Sequence, residues 1–200
     1  MKKQIEFYFD LGSPYSYVGF YRLLKIAEEQ QAEIIWKPIL LGGVFKATGN
    51  SSPMAVPAKA RYSMMDLKRW SKYWQIPVKM NPHFPINTLH LMRLLTAVQL
   101  YQPDRFVCVL KGLFDAMFGH PRNLNDMQEF MALGVELGID AVQAQTWLDD
   151  EKVKASLKAL TEEAVERGVF GAPTCFVDNE QFWGVDHLHF VEMALQSGTE

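Results

Sequence analysis

Ser13-Pro14-Tyr15-Ser16 is the stretch of this sequence whose residue types and spacing could do chemistry. It follows the apolar run Ile5-Glu6-Phe7-Tyr8-Phe9, which reads as a buried strand, and precedes Val18-Gly19-Phe20-Tyr21-Arg22-Leu23-Leu24, which reads as a helix. A strand entering a helix through Gly12-Ser13-Pro14 puts Ser13 at the N-cap and Pro14 at the first helical position. Unpaired backbone N–H groups and the positive end of the helix dipole meet there. Such a place holds an anion, and a thiolate is an anion. Ser followed by Pro also opens helices that carry no chemistry, so other parts of the chain must agree before a function follows.

The elements that must position these residues follow from periodicity. Gly19 to Glu29 is expected as helix and Ala32 to Pro38 as a second apolar strand, a βαβ unit with parallel strands. Gly42-Gly43, Thr48-Gly49-Asn50-Ser51-Ser52-Pro53 and Pro57 mark a long loop. The middle of the chain is helical by pattern: Lys59 to Trp74, stopped by Pro77, then Thr88 to Tyr101, then Asp104 to Phe118. Asn125 opens a further helix with Gln128 at capping-box spacing, and Gly138 closes it. Ala141 to Asp149 and Glu151 to Arg167 complete the series, with Gly168 after the last turn. Two short strands follow, Thr174-Cys175-Phe176-Val177 and Gln181-Phe182-Trp183, joined at Asp178-Asn179. A closing helix runs from Asp186, its cap, to Gln196.

The order is that of an α/β protein with a β-α-β opening and an α-β-β-α ending separated by an all-helical block. A thioredoxin-like core has this order. Residues 1–45 and 160–200 then form a discontinuous core, and residues 46–159 form a helical insertion that walls a cleft against it.

Composition excludes several classes. A chain of 200 residues with 48% hydrophobic and 22% charged residues has the composition of a soluble globular protein with a full core. Its net charge of -3, with Lys and Arg dispersed, offers no surface for nucleic acid and no polybasic membrane patch. No apolar run spans a bilayer, and Met1-Lys2-Lys3-Gln4 leads into an alternating strand rather than a signal peptide. Cys108 and Cys175 lie far apart and make no C-x-x-C, which points to a reducing, cytoplasmic setting. His187-x-His189 separates its rings on a helix, so no metal site is expected.

Gly171-Ala172-Pro173-Thr174 precedes the third strand, where thioredoxin-like folds carry a cis-proline facing the start of the first helix. Ser13-Pro14-Tyr15-Ser16 has the spacing of the C-P-x-C motif of disulfide oxidoreductases, with both sulfurs replaced by oxygens. Hydroxyls cannot exchange disulfides, but one can stabilise another molecule's thiolate. Together with Phe9-Asp10, Gly49-Asn50, Pro57-x-Lys59-x-x-Tyr62 with Asp66 and Arg69, Phe84-Pro85-x-Asn87-Thr88 with Arg93, Gly168 to Thr174 and Phe182-Trp183-Gly184-x-Asp186, the chain resembles the 2-hydroxychromene-2-carboxylate isomerases and their relatives, the kappa-class glutathione transferases, over nearly its whole length.

The resemblance implies glutathione as cofactor, a small aromatic substrate and a homodimer. It implies that Ser13 hydrogen-bonds the glutathione sulfur as the catalytic residue. Asn50 and Lys59 would lie near the cofactor, Ala172 and Pro173 beside its peptide part, and Asp186 at its γ-glutamyl end. His187 takes a cofactor position where arginine is expected. Tyr15, Tyr17 and Asn87 are candidates for substrate contact, although Tyr15 and Tyr17 are equally ordinary core aromatics. Asn50 is equally a turn residue, and Lys59 a solvated helix charge. Cys175 reads as a small buried apolar residue rather than a nucleophile. The implied reaction is isomerisation of 2-hydroxychromene-2-carboxylate to trans-o-hydroxybenzylidenepyruvate by reversible thiolate addition. A kappa-like transferase or peroxidase, and a redox-dead binding protein, are the alternatives.

Overall fold

The computed structural model describes residues 3–197, so Met1 and Lys2, and the ends of the expected core segments, lie outside the described residues. Strands β1 (Gln4–Phe9), β2 (Glu33–Pro38), β3 (Thr174–Val177) and β4 (Glu180–Trp183) form a four-stranded sheet in the order β2-β1-β3-β4. β1 runs parallel to β2, with Phe7 opposite Trp36, and antiparallel to β3, with Phe7 opposite Cys175. β3 and β4 are an antiparallel hairpin in which Cys175 faces Phe182. Helix α1 (Pro14–Gln30) makes the crossover between β1 and β2.

Side-chain alternation along β1 divides the core between the two faces of the sheet. Ile5, Phe7 and Phe9 pack with Val18, Phe20 and Leu23 of α1, and with Cys175 and Phe182, into the larger core. Tyr8 points the other way, into a smaller cluster with Ile39, Val44, Ala164, Val169 and Phe176. The thioredoxin-like α/β order read from the sequence is the observed one, with the helical block between β2 and β3.

That block contains α2 (Leu41–Thr48), α3 (Pro57–Trp74), α4 (Leu89–Tyr101), α5 (Phe106–Phe114), α6 (Met127–Glu136), α7 (Ala141–Asp149) and α8 (Glu151–Glu166), and α9 (Leu188–Ser197) closes the chain. Its apolar faces reach the main core through Leu91, Leu94, Leu95 and Val98 of α4 and through Leu110, Leu113 and Phe114 of α5. No helix among the described residues is long and apolar enough to cross a membrane.

Several boundaries differ from expectation for identifiable reasons. Gly42-Gly43 does not begin a loop but lies inside α2. The buried Asp10 carboxylate accepts the Leu41 N–H at 2.8 Å and supplies the cap that the local sequence lacks. Asp126, not Asn125, caps α6 by accepting the Gln128 N–H, because Asn125 accepts the Asn87 N–H and donates to His83 and Pro85 carbonyls. Gln75, at φ 57°, ends α3 before Pro77. The segment expected as one helix from Asp104 to Phe118 is a 3-10 turn, α5 and a π-turn at Asp115–Gly119 in succession. Asp186 sits in a 3-10 turn, Val185–His187, rather than capping α9.

Candidate active site

The β1–α1 junction is built as its residue types require. Ser13 has an extended backbone (φ -96°, ψ 113°), its Oγ accepts the Ser16 N–H at 3.1 Å, and Pro14 opens the helix. Asp10 holds the approach: its carboxylate accepts the Gly12 N–H at 2.8 Å, and Thr88 and Leu41 donate to it as well. Burial raises its carboxyl above the usual range, against the lowering effect of those three donors. One buried group therefore ties the Ser13 loop to the starts of α2 and α4.

Opposite Ser13 stands the segment before β3. Ala172-Pro173 is cis, as the resemblance implies, and Phe84-Pro85 is a second cis peptide that no sequence signal marked. The Ser13 hydroxyl donates to the Ala172 carbonyl at 2.9 Å, and Ser13 is 5% exposed. Gly184 has φ 89°, a conformation that favours glycine, and its N–H donates to the Pro173 carbonyl at 2.9 Å. Gly171 has no side chain to obstruct the Trp183 indole, which a Cβ there would meet at 2.7 Å from Nε1.

These groups open onto a cavity of about 580 Å³, within the range of small-molecule sites. One side is formed by Gly12 to Tyr15, Asn50 to Met54, Gly171 to Pro173 and Trp183 to Asp186. The other is formed by α3, through Tyr62, Asp66, Leu67 and Trp70, and by Met80 and Phe84; Leu41 and Phe45 of α2 also contribute. The helical block thus walls a cleft against the core. The described residues lining it include two carboxylates, Asp66 and Asp186, and no Lys, Arg or His.

Of the residues singled out in the sequence, Ser13, Tyr15, Asn50, Ala172, Pro173 and Asp186 meet at this cavity. Asn50 is held there by a bond from Nδ2 to the Phe170 carbonyl at 2.8 Å. The Tyr15 hydroxyl donates at 2.9 Å to Asp66, and its other oxygen neighbour is the Ser63 carbonyl at 3.1 Å. Burial, with the adjacent Asp66, pushes its phenol well above the ordinary range.

Four others lie elsewhere. Lys59 is exposed in the first turn of α3 and does not line the cavity. His187 turns its Nδ1 to the Trp183 carbonyl at 2.7 Å and lines a different groove, against Phe190. Tyr17 is a core residue, packed on Phe114 and Phe118 with its hydroxyl donating to the Pro77 carbonyl. Asn87 accepts the Leu89 N–H and helps open α4.

Ser16 is fully buried with an unpartnered Oγ and does not line the cavity, so its backbone N–H, not its hydroxyl, serves the site. Cys175 is 1% exposed in the core between Phe7 and Phe182, and burial pushes its thiol far up, which removes it as a nucleophile. Trp183, Phe45, Met80 and Phe84 are lining residues that sequence reasoning missed as such. Trp183 and Phe84 stand in motifs of the resemblance without a lining role, and none of the four has a spacing that places it near Ser13 without the fold.

The DSBA-like thioredoxin domain family matches the chain over residues 4–196. The chain is 32% identical over 198 residues to a 2-hydroxychromene-2-carboxylate isomerase of Pseudomonas sp. (strain C18), a match that covers 96% of this chain and 89% of that one. It is 31% identical over 185 residues to human glutathione S-transferase kappa 1, covering 86% and 80%. A solved 2-hydroxychromene-2-carboxylate isomerase superposes with a TM-score of 0.85 at 28% identity, covering 97% of this chain and 95% of that one.

Proposed function

The chain belongs to the DSBA-like thioredoxin domain family, alongside 2-hydroxychromene-2-carboxylate isomerases and kappa-class glutathione transferases, and on that basis we propose that it is a glutathione-dependent enzyme acting on aromatic electrophiles. Reversible addition of the glutathione thiolate, giving isomerisation, is the first reading. The observation that carries the proposal is the Ser13 hydroxyl at the N-terminus of α1, bonded to the Ala172 carbonyl in the lining of an aromatic-rich cavity. Ser13 and Ser16 offer no sulfur for dithiol exchange.

Ser13 Oγ already accepts the Ser16 N–H, which fixes the oxygen and leaves its hydrogen free to rotate. Turning that hydrogen from Ala172 to a bound sulfur would stabilise the thiolate and release the Ala172 carbonyl for an N–H of the glutathione peptide. Asp186 suits the γ-glutamyl ammonium. With no basic side chain among the described lining residues, the carboxylates of glutathione fall to backbone N–H groups and the start of α1. Asn50, which lines the cavity, would contact the same molecule.

Magnitudes support this division. A free thiol of pKa about 8.5 is only ~3% ionised at pH 7, and lowering it by about two units takes about 2.7 kcal/mol. A hydrogen bond to a charged acceptor contributes about 1.5–3 kcal/mol and a helix N-terminus about 0.3–1 kcal/mol. Ser13 and α1 together suffice.

Bound glutathione, held by Ser13 and the start of α1, would supply a thiolate nucleophile: reversible addition to a conjugated enone would give isomerisation with glutathione returned unchanged, and lasting addition would give the transferase outcome. Titration of glutathione by calorimetry in buffers of different ionisation enthalpy tests the proposal. Binding with net proton release near neutral pH is expected; no binding up to the millimolar range would refute it. Recovery of unchanged glutathione or of a stable conjugate then separates the two reactions.

A further inference from the structure

The α3 side of the cavity has a character of its own. Leu67 and Trp70 of α3, with Met80 and Phe84 of the segment that follows it, give a wide apolar surface, and Trp70 packs against Trp74 at a 31° tilt with ring centroids 4.6 Å apart. An aromatic wall suits a flat ring in offset or edge-on contact. The charge on this side is Asp66, half-buried, with the Tyr15 hydroxyl as its hydrogen-bond donor. The five cationic side chains of α3, Lys59, Arg61, Lys68, Arg69 and Lys72, are exposed; Arg69 lies over the Tyr62 ring, itself a lining residue, 5.9 Å from its centroid. None of the five lines the cavity.

A carboxylate brought into this half would lose water, gain no cation and lie in the field of Asp66. An uncharged ring would meet the apolar surface of Leu67, Trp70, Met80 and Phe84 without that repulsion. We propose that the α3 side of the cavity binds an uncharged aromatic electrophile and discriminates against its carboxylate counterpart. This rests on the glutathione reading for the chemistry that follows, but the preference itself belongs to the wall and is present without cofactor. It places 2-hydroxychromene-2-carboxylate, an anion, among the disfavoured substrates of this chain, and puts aryl enones, or aryl compounds with an uncharged leaving centre, among the favoured ones.

The test uses 3-phenylpropanamide and 3-phenylpropanoate, which match in shape and differ by one charge. Neither reacts with thiols, so binding can be read by calorimetry or ligand-observed resonance with and without glutathione. The amide is expected to bind about fivefold tighter or more, the order expected for one like-charge contact at about 4 Å screened as in bulk water. Asp66→Asn keeps an acceptor for Tyr15 while removing the charge, and is expected to strengthen propanoate binding and narrow the ratio to about twofold. Equal or tighter binding of propanoate to the unmodified protein overturns the proposal, as does binding of neither probe. Failure of glutathione to bind would refute the cofactor reading and leave this comparison intact.

Discussion

At the scale of the residue, Ser13 was legible because its neighbours are. A Ser-Pro pair between an apolar strand and an apolar helix has one local solution, and the structure shows it, with Oγ accepting from Ser16 and Pro14 opening α1. Asn50, Ala172 and Asp186 reach the cavity because their places in the resemblance are set by the turns around them. Lys59 and His187 do not, since a long side chain on an exposed turn and a ring near a strand end can face either way, and sequence order does not say which. Ser13→Ala removes the hydroxyl but leaves the helix start, so kcat/KM for glutathione-dependent turnover should fall about 10- to 100-fold, the size of one hydrogen bond to a charged acceptor. The loss of the cap should also cost about 1 kcal/mol of stability, measurable by urea unfolding. Turnover unchanged beside that stability loss would make Ser13 a cap and nothing more.

At the scale of the element, Asp10 shows what local pattern cannot supply. α2 was unreadable because Gly42-Gly43 reads as a loop and its cap comes from thirty-one residues upstream in the chain. The same carboxylate accepts the Gly12 N–H and the Thr88 side chain, so it sets the Ser13 loop against two helices. Asparagine has one acceptor oxygen and would turn its amide N–H₂ toward one of those donors. Asp10→Asn should therefore destabilise the fold by about 1–3 kcal/mol, the cost of an unsatisfied buried group. It should also raise KM for glutathione through a looser β1–α1 loop. Unfolding curves superimposable on those of the parent chain would show that Asp10 does not hold these elements. The helices of the insertion were legible where apolar spacing is regular, as in α4, and blurred where a π-turn interrupts the pattern after Phe114.

At the scale of the whole molecule, the sheet separates two faces, and on the second a charged network borders the smaller apolar cluster. Tyr8, Lys37, Glu163, Arg167 and Glu6 interlock there: Tyr8 donates to Glu163 at 2.7 Å, Lys37 to Glu163 at 2.9 Å and Arg167 to Glu6 at 2.7 Å. Burial raises the Glu163 carboxyl, but the bonds from Tyr8 and Lys37 and the nearby positive charges outweigh it and hold it below the usual range. A native pKa below the unfolded one stabilises the fold above about pH 4.3, and that stabilisation is lost as pH falls through the lowered native value. Glu163→Gln should lower stability at neutral pH by about 0.5–1.5 kcal/mol, with the difference shrinking as pH falls below about 4.3; a gap independent of pH would assign the effect to packing. The α/β order and the core were legible because strand and helix periods differ along the chain. Which side chains meet across the cleft was not, because the α3 wall and the β3–β4 hairpin are a hundred residues or more apart in the chain. The claim that unites these scales is that the folded chain holds glutathione as a thiolate beside Ser13. Ultraviolet thiolate absorbance of the protein–glutathione complex, followed against pH, tests it most directly. A titration midpoint about two units below that of a free thiol, returning most of the way in Ser13→Ala, is the predicted result; a midpoint equal to that of free glutathione would contradict it.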